Sequence, residues 1–337
     1  MPYKTVFTTE RGFRHQRSVV AAAPEMLKVT MLRAPDRETL RRRLADGVYW
    51  ISERAGTIDA DLIASAPHLQ LIQRLGSLWY DIDLHAAQQA GVAVCYSPVS
   101  GAIRVAEHVV LQMLALAKKL REAEAIALEA SPGWGESRRT DEDTFAYNWS
   151  GRVGVEGLWQ STIGILGFGE IGAELARRLQ GWDCRILYNK RRRLPEEAER
   201  ALSITYAEVG ALAGESDHLV VLLPYFPQTD HLLDAAFFRQ MKAGTALVSC
   251  GSGSVIDETA LAEAVRSGHL SGAALDTYEW EPLRVDNPLL PLARAGYNVL
   301  LTPHIAAGVS AQDRGRSDDY ANIVNHIQGR PLRYRLV

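Results

Sequence analysis

Gly167, Gly169 and Gly172 are spaced G-x-G-x-x-G, and they are the first residues in this chain whose types and spacing imply chemistry. They follow the apolar run Thr162–Leu166 and precede the helical pattern Glu170–Gln180. In that setting the first glycine permits a tight turn and the second lets a pyrophosphate approach the backbone. The third lets helix and strand pack closely. The free N–H groups and the positive end of the following helix then face the phosphates, with Glu170 and Ile171 in its first turn. The spacing alone is weak in a chain with 27 glycines. Its place between a strand and a helix, with a second strand about 20 residues on, makes it a dinucleotide site.

The end of that second strand decides which dinucleotide. An NAD site usually carries a carboxylate there, bound to the ribose 2′-hydroxyl. This chain has Asn189, Lys190, Arg191, Arg192 and Arg193. A carboxylate ~4 Å from a 2′-phosphate would be repelled by about 4 kcal/mol at an effective dielectric of 20, and a cation attracted by as much. Arginine adds a planar fork suited to phosphate. The basic run therefore reads as an NADP(H) site, with NAD(H) and a merely solvated basic turn as the alternatives.

These residues need elements to hold them. The length of 337 residues favours two domains. In the first hundred residues, strands are expected at Thr5–Thr8, Lys28–Leu32, Val48–Ser52, Leu69–Leu75 and Val92–Tyr96. Helical pieces such as Asp36–Leu44 and Asp83–Gln89 lie between them. This β-then-α order argues for a parallel sheet with helices on its faces. The spacing Ile103, Ala106, Val110, Met113, Leu114, Ala117 predicts a connecting helix over Ile103–Arg121. Ser131–Trp159, rich in Gly, Ser, Asp and Arg with aromatics between, reads as a long excursion and an oligomer contact. A second series predicts strands at Thr162–Leu166, Arg185–Tyr188, His218–Leu223, Ala246–Ser249, Gly272–Leu275 and Val299–Thr302. Helices are expected at Glu170–Gln180, Asp234–Met241, Glu258–Ser267 and Ala311–Ile327.

Composition narrows the class. With 47% hydrophobic and 23% charged residues the chain can build real cores, and a net charge of −3 gives no general attraction to nucleic acid or anionic membrane. The opening MPYKTVFTTERGFRHQR lacks a signal peptide's apolar segment, and no run is expected to approach the ~18 apolar residues that span a bilayer. Cys95, Cys184 and Cys250 are scattered, with neither a disulfide framework nor a metal pair. The expectation is a cytoplasmic protein without a metal.

The order of landmarks from about Leu69 to Gly308 resembles the D-isomer-specific 2-hydroxyacid dehydrogenase family. That family includes glyoxylate/hydroxypyruvate reductases and D-lactate, phosphoglycerate and formate dehydrogenases. The likeness is carried by GVAVCYSPVSGAIRVAEHVV, GILGFGEIG, VVLLPYFPQTDHLL, ALVSCGSGSVIDETAL, GAALDTYEWEP and LLTPHIAAG. It implies an α/β fold of two doubly wound parallel-sheet domains, a Rossmann cofactor domain (100–304) inserted into a flavodoxin-like substrate domain (1–99 plus 305–337). Catalysis in the cleft between domains and a homodimer are implied too.

The resemblance also assigns roles. His304 in TPH matches the general acid, and Glu281 in WEP the carboxylate on its other imidazole nitrogen, a pairing that favours the proton-donating imidazolium. Asp276 matches the aspartate that contacts the nicotinamide carboxamide. Leu223, Pro224, Thr229, Ser249, Cys250 and Gly251 fall on segments that line the cofactor, as His304 does, and Lys190 takes the place of the usual aspartate. Ser77, Leu78 and Trp79 fall on the substrate loop.

Three positions depart from the family pattern. Ser252 stands where the family has the arginine that clamps the substrate carboxylate, a loss that typically costs ~3 kcal/mol, or about 10²–10³ in rate. Leu78 replaces a glycine beside the carboxylate, and Gly101 a substrate-facing asparagine. Together they predict a reshaped pocket, with Leu78, Trp79, Tyr225 and Trp280 as candidate apolar walls. The reading is an NADP(H)-dependent oxidoreductase acting on a 2-keto/2-hydroxy acid or related carbonyl. Arg104 or Arg74 would replace the missing cation for a bulkier keto acid, or restore an ordinary glyoxylate or hydroxypyruvate reductase. The alternative is a catalytically weak dinucleotide-binding sensor or corepressor-like interaction protein.

Overall fold

The computed structural model describes residues 1–53, 56–308 and 315–337. The chain divides into two compact units, Met1–Ala102 with Val309–Val337, and Ile103–Gly308 inserted between them. Each is built on a parallel sheet.

The terminal unit has strands β1 (Tyr3–Thr9), β2 (Leu27–Arg33), β3 (Tyr49–Ser52), β4 (Leu71–Leu75) and β5 (Ala93–Ser97), in the order β2-β1-β3-β4-β5. Alternate residues feed two separate apolar clusters. Val6, Trp50, Ile72 and Val94 enter one, and Phe7, Tyr49, Ile51, Leu71 and Cys95 the other. A sheet covered on both faces buries side chains of both parities, so Tyr49–Ser52 and Leu71–Leu75 are buried at every position, whereas the edge strand Leu27–Arg33 is only partly buried. The order places a reversal between β1 and β3, the flavodoxin-like doubly wound arrangement.

The inserted unit has β6 (Thr162–Leu166), β7 (Arg185–Asn189), β8 (Ile204–Tyr206), β9 (His218–Val221), β10 (Ala246–Ser249), β11 (Gly272–Leu275) and β12 (Val299–Leu301). All pairings are parallel, in the order β12-β11-β10-β9-β6-β7-β8. β6 lies between β9 and β7, so the sheet winds outward in both directions from it, as in a Rossmann fold.

Several elements differ from expectation. The helix foreseen over Ile103–Arg121 starts earlier, runs Ser100–Ala117, and breaks before a second helix at Leu120–Glu129. Lys119 sits in the left-handed region at φ 46, and the Arg121 guanidinium donates to the Val299 carbonyl at 2.6 Å. The turn directs that side chain into its own unit. Of the foreseen helix Ala311–Ile327, residues 311–314 lie outside the described residues. The rest is a 3₁₀ segment, Gly315–Tyr320, followed by helix Ala321–Ile327. Contrary to expectation, one run is long and apolar enough to cross a membrane: helix Ser100–Ala117, of 18 residues and mean hydropathy 1.2. It is 44% buried, and its buried Gln112 and half-buried His108 bond to Thr302. Residues 131–159 are irregular apart from the turn Pro132–Trp134. They expose Phe145, Tyr147, Trp149, Val153 and Trp159.

At the carboxyl ends of β1 and β3 the terminal unit buries a charge. Glu53 is only 4% exposed. It accepts from the Thr9 hydroxyl (2.8 Å) and meets His15 Nε2 (2.8 Å), Arg11 (3.4 Å) and Arg316 (3.8 Å). Burial acts to raise its carboxyl, but Arg11, the Thr9 hydroxyl, His15 and Arg316 together hold it below the ordinary value. A lowered acid contributes stability above its unfolded value and loses it as pH falls through the folded one. Glu53→Gln, which leaves the cations uncompensated, is expected to cost about 3 kcal/mol at pH 7. In urea unfolding compared across pH, that deficit should shrink as pH falls below 4.5, the usual glutamate value.

Candidate active site

In the inserted unit, strand order sets up the site. β10, β11 and β12 are neighbours, so the segments that follow them leave the same edge of the sheet. These segments carry Cys250–Ser254, Asp276–Glu281 and Thr302–Gly308.

Asp276 ties them together. It is fully buried, and its N–H donates to the Ser249 carbonyl at 3.0 Å. Oδ1 accepts from the Thr302 hydroxyl at 2.7 Å and the Ile305 N–H at 3.0 Å, and Oδ2 from the Ala306 N–H at 2.8 Å. A buried carboxylate without such donors would cost several kcal/mol. Each bond to a charged group returns about 1.5–3 kcal/mol. Two of the three donors are consecutive amides just after His304, so the aspartate fixes the path of the chain there. His304 takes φ 52, a left-handed conformation uncommon for a residue other than glycine.

The histidine so presented puts Nδ1 2.7 Å from Glu281 Oε2. The imidazole is 60% exposed and the carboxylate 35%. A pair this exposed adds at most about 1 kcal/mol of stability. Its consequence is orientation: a carboxylate on Nδ1 places a proton there and leaves Nε2 as the working nitrogen. Glu281 also accepts from the Tyr278 N–H at 3.1 Å, which anchors it to the strand end.

Beneath the loop lies a polar cluster that the sequence did not suggest. His108 Nε2 and Gln112 Nε2 both reach Thr302 Oγ1, at 3.2 and 3.3 Å. His108 is also 3.7 Å from Asp276 Oδ1, and Cys250 Sγ is 3.4 Å from Gln112 Oε1. The signal was present: positions 108 and 112 share one helix face. Burial, aided by the Asp276 charge, pushes the Cys250 thiol up, so it stays protonated and is not a nucleophile.

The glycine turn fits a dinucleotide. Gly167 has φ 92, and a Cβ there would lie 2.7 Å from the Leu223 nitrogen. At Gly172 a Cβ would meet the Phe168 ring at 2.9 Å. At Gly169 it would meet nothing within 4 Å, so the backbone is open at the head of helix Glu170–Leu179, which has no side-chain cap. Two tight positions flanking one open position are what a phosphate cradle requires. Glu170 is buried and Ile171 half-buried in the helix's first turn. Ser249 Oγ is buried with no hydrogen-bond partner among the described residues, an orphan at the end of β10. Thr229 closes the loop after β9, accepting from the Phe226 N–H at 2.8 Å and donating to the Pro224 carbonyl at 3.0 Å.

The basic run is not uniform. The Asn189 carbonyl accepts from Gly167 N–H (3.1 Å) and its side chain donates to Ala207 (2.8 Å), a structural role. Lys190 is half-buried. Arg191 lies over the Phe226 ring, 5.0 Å from its centroid. Arg193 is held by Glu199 through two bonds, of 2.8 and 2.7 Å.

Ser252 is half-buried at the head of the turn Gly253–Val255, its N–H donating to the Leu223 carbonyl at 2.8 Å. Of the two cations considered as replacements for the arginine, Arg74 is buried in the terminal unit and paired with Asp81 at 2.8 Å. Arg104 belongs to the inserted unit and runs beside the histidine loop, its Nη1 3.4 Å from the Ala307 carbonyl. Ser77, Leu78 and Trp79 lie in the terminal unit after β4. Ser77 is buried there, and Trp79 stacks on Tyr80 at 4.3 Å. Trp280, a candidate wall of the pocket, is 58% exposed. Trp280 lines a cavity of about 240 Å³ with His231, Glu258, Glu279 and Arg284, a strongly polar set. Tyr225 is half-exposed on the loop after β9.

Known proteins carry the same pattern. The profile of the D-isomer specific 2-hydroxyacid dehydrogenase NAD binding domain matches residues 110–306. The chain is 31% identical over 303 residues to D-3-phosphoglycerate dehydrogenase of Mycobacterium leprae, covering 90% of this chain and 53% of that one. It thus spans about half the length of such relatives. A Staphylococcus aureus protein named as a 2-hydroxyacid dehydrogenase is 31% identical over 270 residues, 80% of this chain and 79% of that one. Among solved structures, apo D-mandelate dehydrogenase of Rhodotorula graminis aligns with a TM-score of 0.55 at 25% identity, over 100% of this chain and 98% of that one.

The packing under Ser252 can be tested. A Cβ at Gly253 would lie 1.9 Å from the Tyr278 backbone, so Gly253→Ala must displace main chain. The expected loss is about 3 kcal/mol, seen as a fall of roughly 6–12 °C in the melting temperature.

Proposed function

The chain belongs to the D-isomer specific 2-hydroxyacid dehydrogenase family, and on that premise we propose that it is an NADP(H)-dependent oxidoreductase acting on a 2-keto/2-hydroxy acid or a related carbonyl. The observation that carries this reading is the 2.7 Å contact between His304 Nδ1 and Glu281 Oε2, held on a loop that Asp276 organises. A protein that only bound a dinucleotide would have no use for an imidazole oriented this way.

When bound, the nicotinamide dinucleotide supplies the hydride donor or acceptor. The chain's own residues do the rest. Gly167, Gly169 and the head of helix Glu170–Leu179 would hold the pyrophosphate. Lys190 and Arg191 would meet the 2′-phosphate, and the segments at Leu223–Thr229, Ser249–Gly251 and Asp276 would flank the nicotinamide half. His304 Nε2 delivers a proton to the carbonyl oxygen in reduction and withdraws it in oxidation, while Glu281 keeps the ring in register.

Ser252 cannot hold a carboxylate by charge. Arg104, beside the His304–Gly308 segment, is the cation that supports an acid substrate in its place. The three departures at Leu78, Gly101 and Ser252 favour a substrate other than the smallest keto acids. We also propose a cytoplasmic homodimer. The run of aromatic side chains exposed on residues 131–159 supports the dimer, since grouped exposed apolar surface is a mark of protein interfaces.

Two substitutions test the site. His304→Gln is expected to lower kcat about 10²–10⁴-fold, the range of a general acid, with a much smaller effect on cofactor affinity. Ser252→Arg, in a protein that keeps its melting temperature, is expected to raise kcat/KM for glyoxylate at least about tenfold. No rise would mean that the missing cation does not limit turnover.

A further inference from the structure

The four cations at positions 190–193 are not equivalent, and one buried carboxylate makes them so. Glu199 is 8% exposed, within helix Glu196–Leu202. It takes two bonds from Arg193, at 2.8 and 2.7 Å, and a third from the Tyr188 hydroxyl at 2.7 Å. That hydroxyl in turn accepts the Leu194 N–H at 2.9 Å. Both ends of the loop between Tyr188 and Leu194 are thus tied to one phenol–carboxylate pair. The Tyr188 ring is fully buried. It packs against Phe168 of the glycine turn at 4.9 Å and edge-on against Tyr206 at 5.6 Å, and Arg193 lies 5.7 Å over that same Tyr206. The clamp therefore rests on the same aromatic stack as the phosphate turn. Outside it, Arg191 lies over Phe226, and Arg192 is exposed with no hydrogen bond or ion pair among the described residues.

We propose that Glu199 is a positioning residue for cofactor selectivity: it holds Arg193 and, through Tyr188, closes the basic loop, so that Lys190 and Arg191 meet a 2′-phosphate already arranged. This rests on the NADP(H) reading above. A carboxylate near a phosphate-reading loop would ordinarily weaken phosphate binding. Here its charge is neutralised by a two-pronged arginine, the strongest geometry for such a pair. What remains is the constraint. A loop held in its binding shape before the ligand arrives does not have to be ordered on binding. Only the ligand that carries the extra phosphate uses the side chains so arranged, so the effect falls on NADPH and spares NADH.

The experiment measures Kd for NADPH and NADH by tryptophan fluorescence in the wild type, Glu199→Gln, Arg191→Ala and the double variant. The wild type is expected to bind NADPH more tightly. Glu199→Gln should weaken NADPH about tenfold and NADH less than twofold, and its effect should largely vanish when Arg191 is already alanine, because the two act through one loop. With an NADPH-preferring wild type, equal weakening of both cofactors, no change, or full additivity with Arg191→Ala overturns the positioning role and leaves the cofactor reading standing. A wild type that prefers NADH overturns both. If Glu199→Gln does not fold, Tyr188→Phe decides by the same criteria, since it keeps the buried ring and removes only the hydroxyl that joins Glu199 to Leu194.

Discussion

The inserted unit depends on one buried charge. Asp276 gives up its hydration at the end of β11 and recovers it from the Thr302 hydroxyl and two consecutive backbone amides. Those amides come from the segment after the neighbouring strand β12, so the bonds can form only when β11 and β12 are paired in register. Register, carboxylate and histidine are therefore linked. If the sheet is correctly paired, His304 is turned outward in its left-handed conformation and meets Glu281. Without that pairing, a buried carboxylate would be left without donors. Folding and presentation of the imidazole are in this way one event, and His108 and Gln112 extend the network to the long helix.

Much of this could be read in the sequence, for definite physical reasons. Strands buried on both faces must be apolar throughout, so Thr162–Leu166, Ala246–Ser249 and Gly272–Leu275 stood out with their limits as found. The glycine turn was legible because its constraints are local: a positive φ at Gly167 and close packing at Gly172 concern neighbours a few residues away or one strand over. Other features were hidden. β8 has only three residues, too few for a period to show. Helix Phe13–Ala21 buries Val19 and little else, so it has almost no apolar stripe. The break at Lys119 is accompanied by a tertiary contact of Arg121 with Val299, which no local propensity encodes. The His108–Asp276 and Arg104–Ala307 contacts likewise join residues far apart in the chain.

Charge in the basic run shows the same limit. Four adjacent cations read as a single feature, because composition does not distinguish one arginine from the next. The structure separates them, with Arg193 committed to Glu199, Arg191 laid over an aromatic ring and Arg192 in solvent. The substrate side behaves similarly. Ser252 is an uncharged residue in a segment whose backbone is tightly packed, at Gly251 against Leu223 and at Gly253 against Tyr278.

The central claim is that this oriented histidine serves a redox reaction on a carbonyl. It is tested most directly by following NADPH consumption while 2-keto acids of increasing size and carbonyls without a carboxylate are offered in turn. The account predicts carbonyl-dependent consumption with at least one of them, favouring larger substrates over glyoxylate. Consumption that is the same with and without every carbonyl, from protein shown to bind the cofactor, would contradict it.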